Sequence, residues 1–215
     1  MSVIIDGSKG ITTFLIEKGF AAAGERLDPE ETGGLVTRYI EVYRTRQLKA
    51  PIHVFIRPRL GSFVYDAGDL DVMRADIHAV KRAGAPGVVF GALTNEGVID
   101  HAAMADLIAA ARPMVVGFHR AFDQIADQSA ALETLIELGV AIVLTSGGAA
   151  KAIDGAAQLR RLVDHAAGRI EILAGGGVTS ENVRALMDAS GVTHVHGKAF
   201  RGLRGTPIDK PAGHA

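Results

Sequence analysis

From Pro51 onward, short apolar runs alternate with segments whose apolar positions recur every third or fourth residue. Residues 52–57 read as a strand ended by Pro58, and Leu70, Met73, Ile77 and Val80 mark one face of a helix over 69–83 that Gly84 stops. The same rhythm predicts strands at 87–90, 114–118, 140–144, 170–173 and 192–195. Between them it predicts helices at 102–111, 129–138 (closed by Gly139) and 156–166, and one opened by a Thr179 cap and running to Met187. Before Pro51 the pattern is weaker. Val3-Ile4-Ile5 is β-like, Ile11, Phe14, Leu15 and Lys18 have helical spacing, and 25–28 reads as a polar second strand. Gly33-Gly34 then punctuates the chain, ahead of a helical pattern in Leu35, Tyr39, Val42 and Tyr43.

Regular strand–helix alternation predicts an α/β chain with a parallel sheet. With the N-terminal pair included, eight strands can be counted, which favours a TIM-type (β/α)₈ barrel over an open doubly wound sheet. The expected domain is 1–200, a single barrel with an atypical N-terminal strand–helix pair and no clear eighth covering helix. Residues 201–215, with two prolines and three glycines, read as an irregular tail. Val3, Ile5 and Val195, pointing outward on the terminal strands, would then lack cover, which predicts a partner subunit or a locally loose barrel.

In such a barrel the carboxyl ends of the strands form the active face, and polar groups gather there repeatedly. Arg57-Pro58-Arg59, His119-Arg120 with Asp123 behind, Thr145-Ser146-Gly147-Gly148, Gly175-Gly176-Gly177 and His196-Gly197-Lys198 each follow a strand. Glycines there can present backbone N–H groups to an anion. Arg57, Arg59, Thr145, Ser146, Gly175, Gly176, Gly177 and Lys198 are therefore candidates for an anion-binding mouth. His119, Asp123 and Arg120 are the catalytic candidates, the imidazole as acid or base, oriented by Asp123, with Arg120 holding an anionic group. Strand alternation puts His53, Phe55 and Arg57 on one face, so His53 reads as a core histidine below the mouth. Ser146 lacks nucleophile-elbow spacing, and Glu96 and Asp100 read as solvated or capping residues. His119 and His196 are the candidate metal ligands, suiting copper(II) or zinc, whereas His194 reads as structural.

Composition narrows the partners. The formal charge of -1 over 215 residues gives no electrostatic case for nucleic acid. The chain contains no cysteine, which excludes disulfides and thiolate metal sites. No window approaches the ~18 apolar residues of a spanning helix, and no secretory signal opens the chain, so the expected setting is cytoplasmic, with no membrane partner.

The ordered set of motifs resembles the CutC copper-homeostasis family. It comprises His53 with Ile56-Arg57-Pro58-Arg59, Gly61, Phe63 and Tyr65, then Gly87-Val88-Val89-Phe90-Gly91-Ala92-Leu93-Thr94. Phe118-His119-Arg120-Ala121-Phe122-Asp123, Leu144-Thr145-Ser146-Gly147, Ala174-Gly175-Gly176-Gly177-Val178 and Val195-His196-Gly197 continue it. The resemblance implies a TIM-type barrel, a cytosolic role in copper tolerance or trafficking, a copper ion as ligand and a homodimer. It departs at the N-terminus, where Pro29 and Glu30 stand in place of the family's Leu-Cys, so copper held by thiolates does not carry over. Three readings follow: a copper-homeostasis protein binding copper through histidine and methionine; an enzyme acting on a small anionic substrate, phosphorylated or not, through His119 and Asp123; and a degenerate member without activity.

Overall fold

The computed structural model describes residues 3–4, 52–59 and 61–197. Among the described residues seven strands form one parallel sheet: β1 (Val3–Ile4), β2 (Ile52–Phe55), β3 (Gly87–Phe90), β4 (Val115–Phe118), β5 (Ile142–Thr145), β6 (Glu171–Gly175) and β7 (His194–His196). Helices α1 (Ala67–Arg82), α2 (His101–Ala111), α3 (Gln128–Glu137), α4 (Ala156–Ala166) and α5 (Val183–Ser190) fill the connections from β2 onward. The strand order in the sheet is the order in the chain. A doubly wound sheet must reverse direction at a switch point, whereas right-handed crossovers that all step the same way put every helix on one face and curl the sheet. The described strands therefore make an incomplete TIM-type barrel, as the alternation predicted.

Period-two alternation divides the apolar residues between two cores. Val54, Ile56, Val88, Phe90, Phe118 and Val143 face the helices in the larger one. Phe55, Val89, Ile142, Leu144 and Leu173 pack inside the barrel. His53 shares that inner face and is 3% exposed, with its ring against Gly87, where a Cβ would stand 2.5 Å from Cδ2. Burial lowers its pKa, so it sits in the core as a neutral imidazole.

Three helices open on aspartate caps: Asp66, Asp100 and Asp127 accept from the backbone N–H of Asp69, Ala103 and Ala130 at 2.8, 3.0 and 3.0 Å. Asp100 thus caps, as its position suggested. Thr179 does not cap the last helix. Its Oγ1 accepts from Glu181 N at 3.3 Å in a local turn, Asn182 Oδ1 accepts from Thr179 N at 2.8 Å, and α5 starts only at Val183. Val195 is not left uncovered. It is half-buried and packs against the larger core. The side chains of Val3 and Ile5, the expected strand at 25–28, the N-terminal helical patterns, Lys198, the 200/201 boundary and the tail lie outside the described residues. Among the described residues no helix is long and apolar enough to cross a membrane.

Candidate functional site

The strand ends surround a cavity of about 290 Å³. Arg57 and Phe55 reach it from β2, His119 and Arg120 from the end of β4, Leu144 from β5, and Gly176, Gly177, His196 and Gly197 from beyond β6 and from β7. Phe63 enters from the loop after β2. The mouth expected from the sequence is therefore a real concavity, with an apolar wall on one side and glycine backbone on the other.

His119 is its most constrained polar group. It stands at the N-cap of a 3₁₀ turn, Arg120–Gln124, and Nδ1 accepts the Ala121 N–H at 3.2 Å. That bond uses the Nδ1 lone pair and assigns the ring proton to Nε2. The ring stacks on Phe55 (centroids 5.1 Å apart), lies 4.6 Å from the Phe63 ring and is 1% exposed. Burial, and secondarily the charge of Arg57, push its pKa down to about 3. It is a neutral Nε2–H donor, and that nitrogen is buried without a hydrogen-bond partner among the described residues. Leaving such a donor unsatisfied costs about 1–3 kcal/mol.

Asp123 does not orient His119. Its Oδ1 accepts from Thr145 Oγ1 at 2.5 Å and from the backbone N–H of Ser146 and Gly148 at 3.0 and 3.1 Å. Its Oδ2 accepts from Arg120 Nε at 2.6 Å. The His119–Asp123 pairing expected from their spacing is replaced by a carboxylate that ties the β4 and β5 loops together. Ser146 Oγ accepts from Arg120 Nη2 at 2.6 Å and gives its one proton to Asp123 Oδ2 or Ala149 O, at 3.0 and 2.5 Å. Thr145 and Ser146, both fully buried, therefore position Asp123 and Arg120 and do not line the cavity.

The two arginines that follow β2 part company. Arg57 lies over the Phe63 ring at 4.5 Å and donates from Nη2 to Gly61 O at 2.7 Å, within the cavity wall. Arg59 turns away. It pairs with Asp69 at 2.8 Å and donates to Val64 O at 2.6 Å, fastening the loop to α1. Gly175 serves packing, because a Cβ there would stand 2.5 Å from Leu144 Cδ1. Gly176 and Gly177 have φ of +116° and +67°, a left-handed region that a side chain would strain. A Cβ on Gly176 would come within 3.3 Å of Arg120 Nη1, so the guanidinium and the glycine turn share one end of the cavity.

Three contributors were not singled out in the sequence. Phe55 shares the inward face of Arg57, so strand alternation could have found it. Lys151 lays its side chain along Gly177, with Cγ 3.2 Å from where a Cβ would be, and only the tertiary fold brings that loop there. Gly91 makes room for the imidazole: a Cβ would stand 2.9 Å from His119 Cε1 and Nδ1 and from Phe118 Cε2. Gly91→Ala is therefore expected to cost about 1–2 kcal/mol and to displace the ring. Urea unfolding with imidazole ¹⁵N spectra checks this, and unchanged stability and chemical shifts would rule it out.

The described residues offer no set that would hold a copper ion. Among the described residues no group of three or more His, Asp or Glu side chains is arranged to hold a metal, and the chain has no cysteine. His119 and His196 both line the cavity, but Nδ1 of His119 is occupied and Nε2 bears the proton. Among the described residues two guanidinium groups and no carboxylate line the cavity, a field that favours anions.

A model of the CutC family matches residues 21–201. A Mus musculus protein named copper homeostasis protein cutC homolog is 46% identical over 151 residues, which are 70% of this chain and 56% of the relative. A protein of Xanthomonas axonopodis pv. citri (strain 306) named for family protein CutC is 44% identical over 181 residues, 83% of this chain and 75% of that one. A Streptococcus agalactiae structure assigned to copper homeostasis as CutC superposes with a TM-score of 0.72 at 33% identity, covering 77% of this chain and 80% of that chain. The chain thus spans about half the length of the mouse relative.

Proposed function

The chain belongs to the CutC family, and from that membership we propose that its strand-end mouth binds a small anionic metabolite. On this reading the family's connection to copper homeostasis runs through that ligand, and copper is not held in the mouth. The observation that carries the reading is the cavity wall: among the described residues, Arg57 and Arg120 line it and no carboxylate does. Arg120 is held in place by Asp123 and Ser146, so little side-chain entropy remains to be lost on binding. If the site is catalytic, its chemistry is hydrogen-bond donation and charge stabilisation. A neutral His119 with a pKa of about 3 is a weak base at neutral pH, and the Asp123 carboxylate is already engaged. The cytoplasmic setting and homodimer implied by the family resemblance belong to the same proposal, the dimer being tested by sedimentation.

Titration calorimetry with inorganic phosphate, copper(I) and copper(II) tests the reading. Phosphate is expected to bind and to lose about tenfold or more in affinity in Arg57→Ala and in Arg120→Ala, the range for a charge-assisted hydrogen bond. Copper binding, if measured at all, is expected to be the same in wild type, His119→Ala and His196→Ala. Stoichiometric copper lost in either histidine variant, with no phosphate response, would overturn the proposal in favour of a histidine copper site.

A further inference from the structure

Resting on that anion-binding reading, we infer that the ligand has two ends. One is an oxyanion at Arg120 and the Gly176–Gly177 turn; the other is an uncharged carbonyl oxygen that accepts the Nε2–H of His119. The substrate class is a short carbonyl compound bearing a phosphate or carboxylate.

The two ends rest on separate observations. At the first, Arg120 Nη1 faces Gly176, and the aliphatic stem of Lys151 runs along Gly177, so a guanidinium and a glycine turn share this end. Ala152 N donates to Gly176 O at 2.9 Å, fixing the Lys151 loop to that turn. At the second end the His119 Nε2–H is buried and unpartnered. Its ring stacks on Phe55 and lies against the tilted Phe63 ring, and Arg57, which lies over Phe63, is a donor only. The two side chains described here, His119 and Arg57, therefore both donate.

That uniformity selects the partner. A carbonyl oxygen brings lone pairs and no proton, so it satisfies Nε2–H and leaves nothing of its own unpaired. A hydroxyl brings a proton for which neither His119 nor Arg57 offers an acceptor. A second full charge would lose its hydration against the same rings. Phe55 and Leu144 line the space between the ends, matching a short carbon chain. Because Nδ1 is fixed by Ala121, the imidazole cannot turn over to offer an acceptor.

Calorimetry on the full chain with matched pairs tests this: dihydroxyacetone phosphate against glycerol 3-phosphate, pyruvate against lactate, with inorganic phosphate and phosphoglycolate as references. The carbonyl member of at least one pair is expected to bind about tenfold tighter than its alcohol, a preference that His119→Phe abolishes. The pair that discriminates tells phosphate from carboxylate. In wild type, needing no variant, the His119 ¹⁵Nε2 resonance is expected to shift with the carbonyl member and not with the alcohol. Equal affinities for both members, with phosphate still bound, would overturn the inference and leave the anion-binding reading standing. So would tighter binding of phosphoglycolate. No binding of any of these compounds would overturn both.

Discussion

Asp123→Ala is expected to remove about 2–4 kcal/mol of folding stability, the scale for leaving several part-buried donors to one carboxylate without their acceptor. The side chain of Asp123 is 9% exposed, and its oxygens accept from Thr145 Oγ1, from the backbone N–H of Ser146 and Gly148, and from Arg120 Nε. Truncation leaves those donors unsatisfied together and releases Arg120 from one of the anchors that aim it at Gly176. The variant should therefore lose ligand affinity as well as stability. Asp123→Asn keeps the volume and one acceptor oxygen but sets an amide against Arg120 or Ser146, so it should lose a smaller share. Urea unfolding of both variants, with calorimetry in phosphate, is the measurement. A loss below about 1 kcal/mol in Asp123→Ala would mean that the β4 and β5 loops are held by something else.

Acidification is expected to destabilise the protein by about 3 kcal/mol between pH 7 and pH 4 through His119 alone. Its folded pKa, about 3, lies below the ordinary histidine value of 6.5. Between those two values the unfolded chain binds a proton that the folded chain refuses. The contribution is therefore complete above pH 6.5, falls as the pH drops through that window, and levels off below about 3. His53, also lowered by burial, acts in the same direction. Urea unfolding across this range should show the slope, and His119→Phe should flatten it by the His119 share. An identical slope in wild type and variant would mean that the imidazole is protonated inside the fold or exposed in it.

The two predictions concern neighbours in sequence that the fold uses in opposite ways. Gly117 to Asp123 gathers an imidazole, a guanidinium and a carboxylate, and spacing invites an acid–base pair of His119 with Asp123. The 3₁₀ turn at Arg120–Gln124 separates them instead. It bends His119 Nδ1 onto Ala121 and turns Asp123 toward the next strand's loop. Arg57 and Arg59 show the same divergence. Two residues apart and both basic, one lines the cavity while the other is taken by Asp69 from α1.

Local pattern determined a great deal. Periodicities of two and of 3.6 residues mark which positions are apolar within one element, and that sufficed for the order of strands and helices from Pro51 and the single-direction barrel. It also placed His53 inside and gathered polar groups at the strand ends. Family membership was legible from the same motifs, because their order along the chain is itself a sequence property. What the sequence could not determine is where a side chain's hydrogen bonds go once elements from distant positions meet. That Arg59 pairs with a helix, that the Lys151 stem lies along Gly177, and that His119 keeps a buried Nε2–H with no partner among the described residues were decided only in the tertiary structure. Hydrogen bonds and desolvation depend on distances of an ångström between groups tens of residues apart, and no periodicity along one chain encodes those.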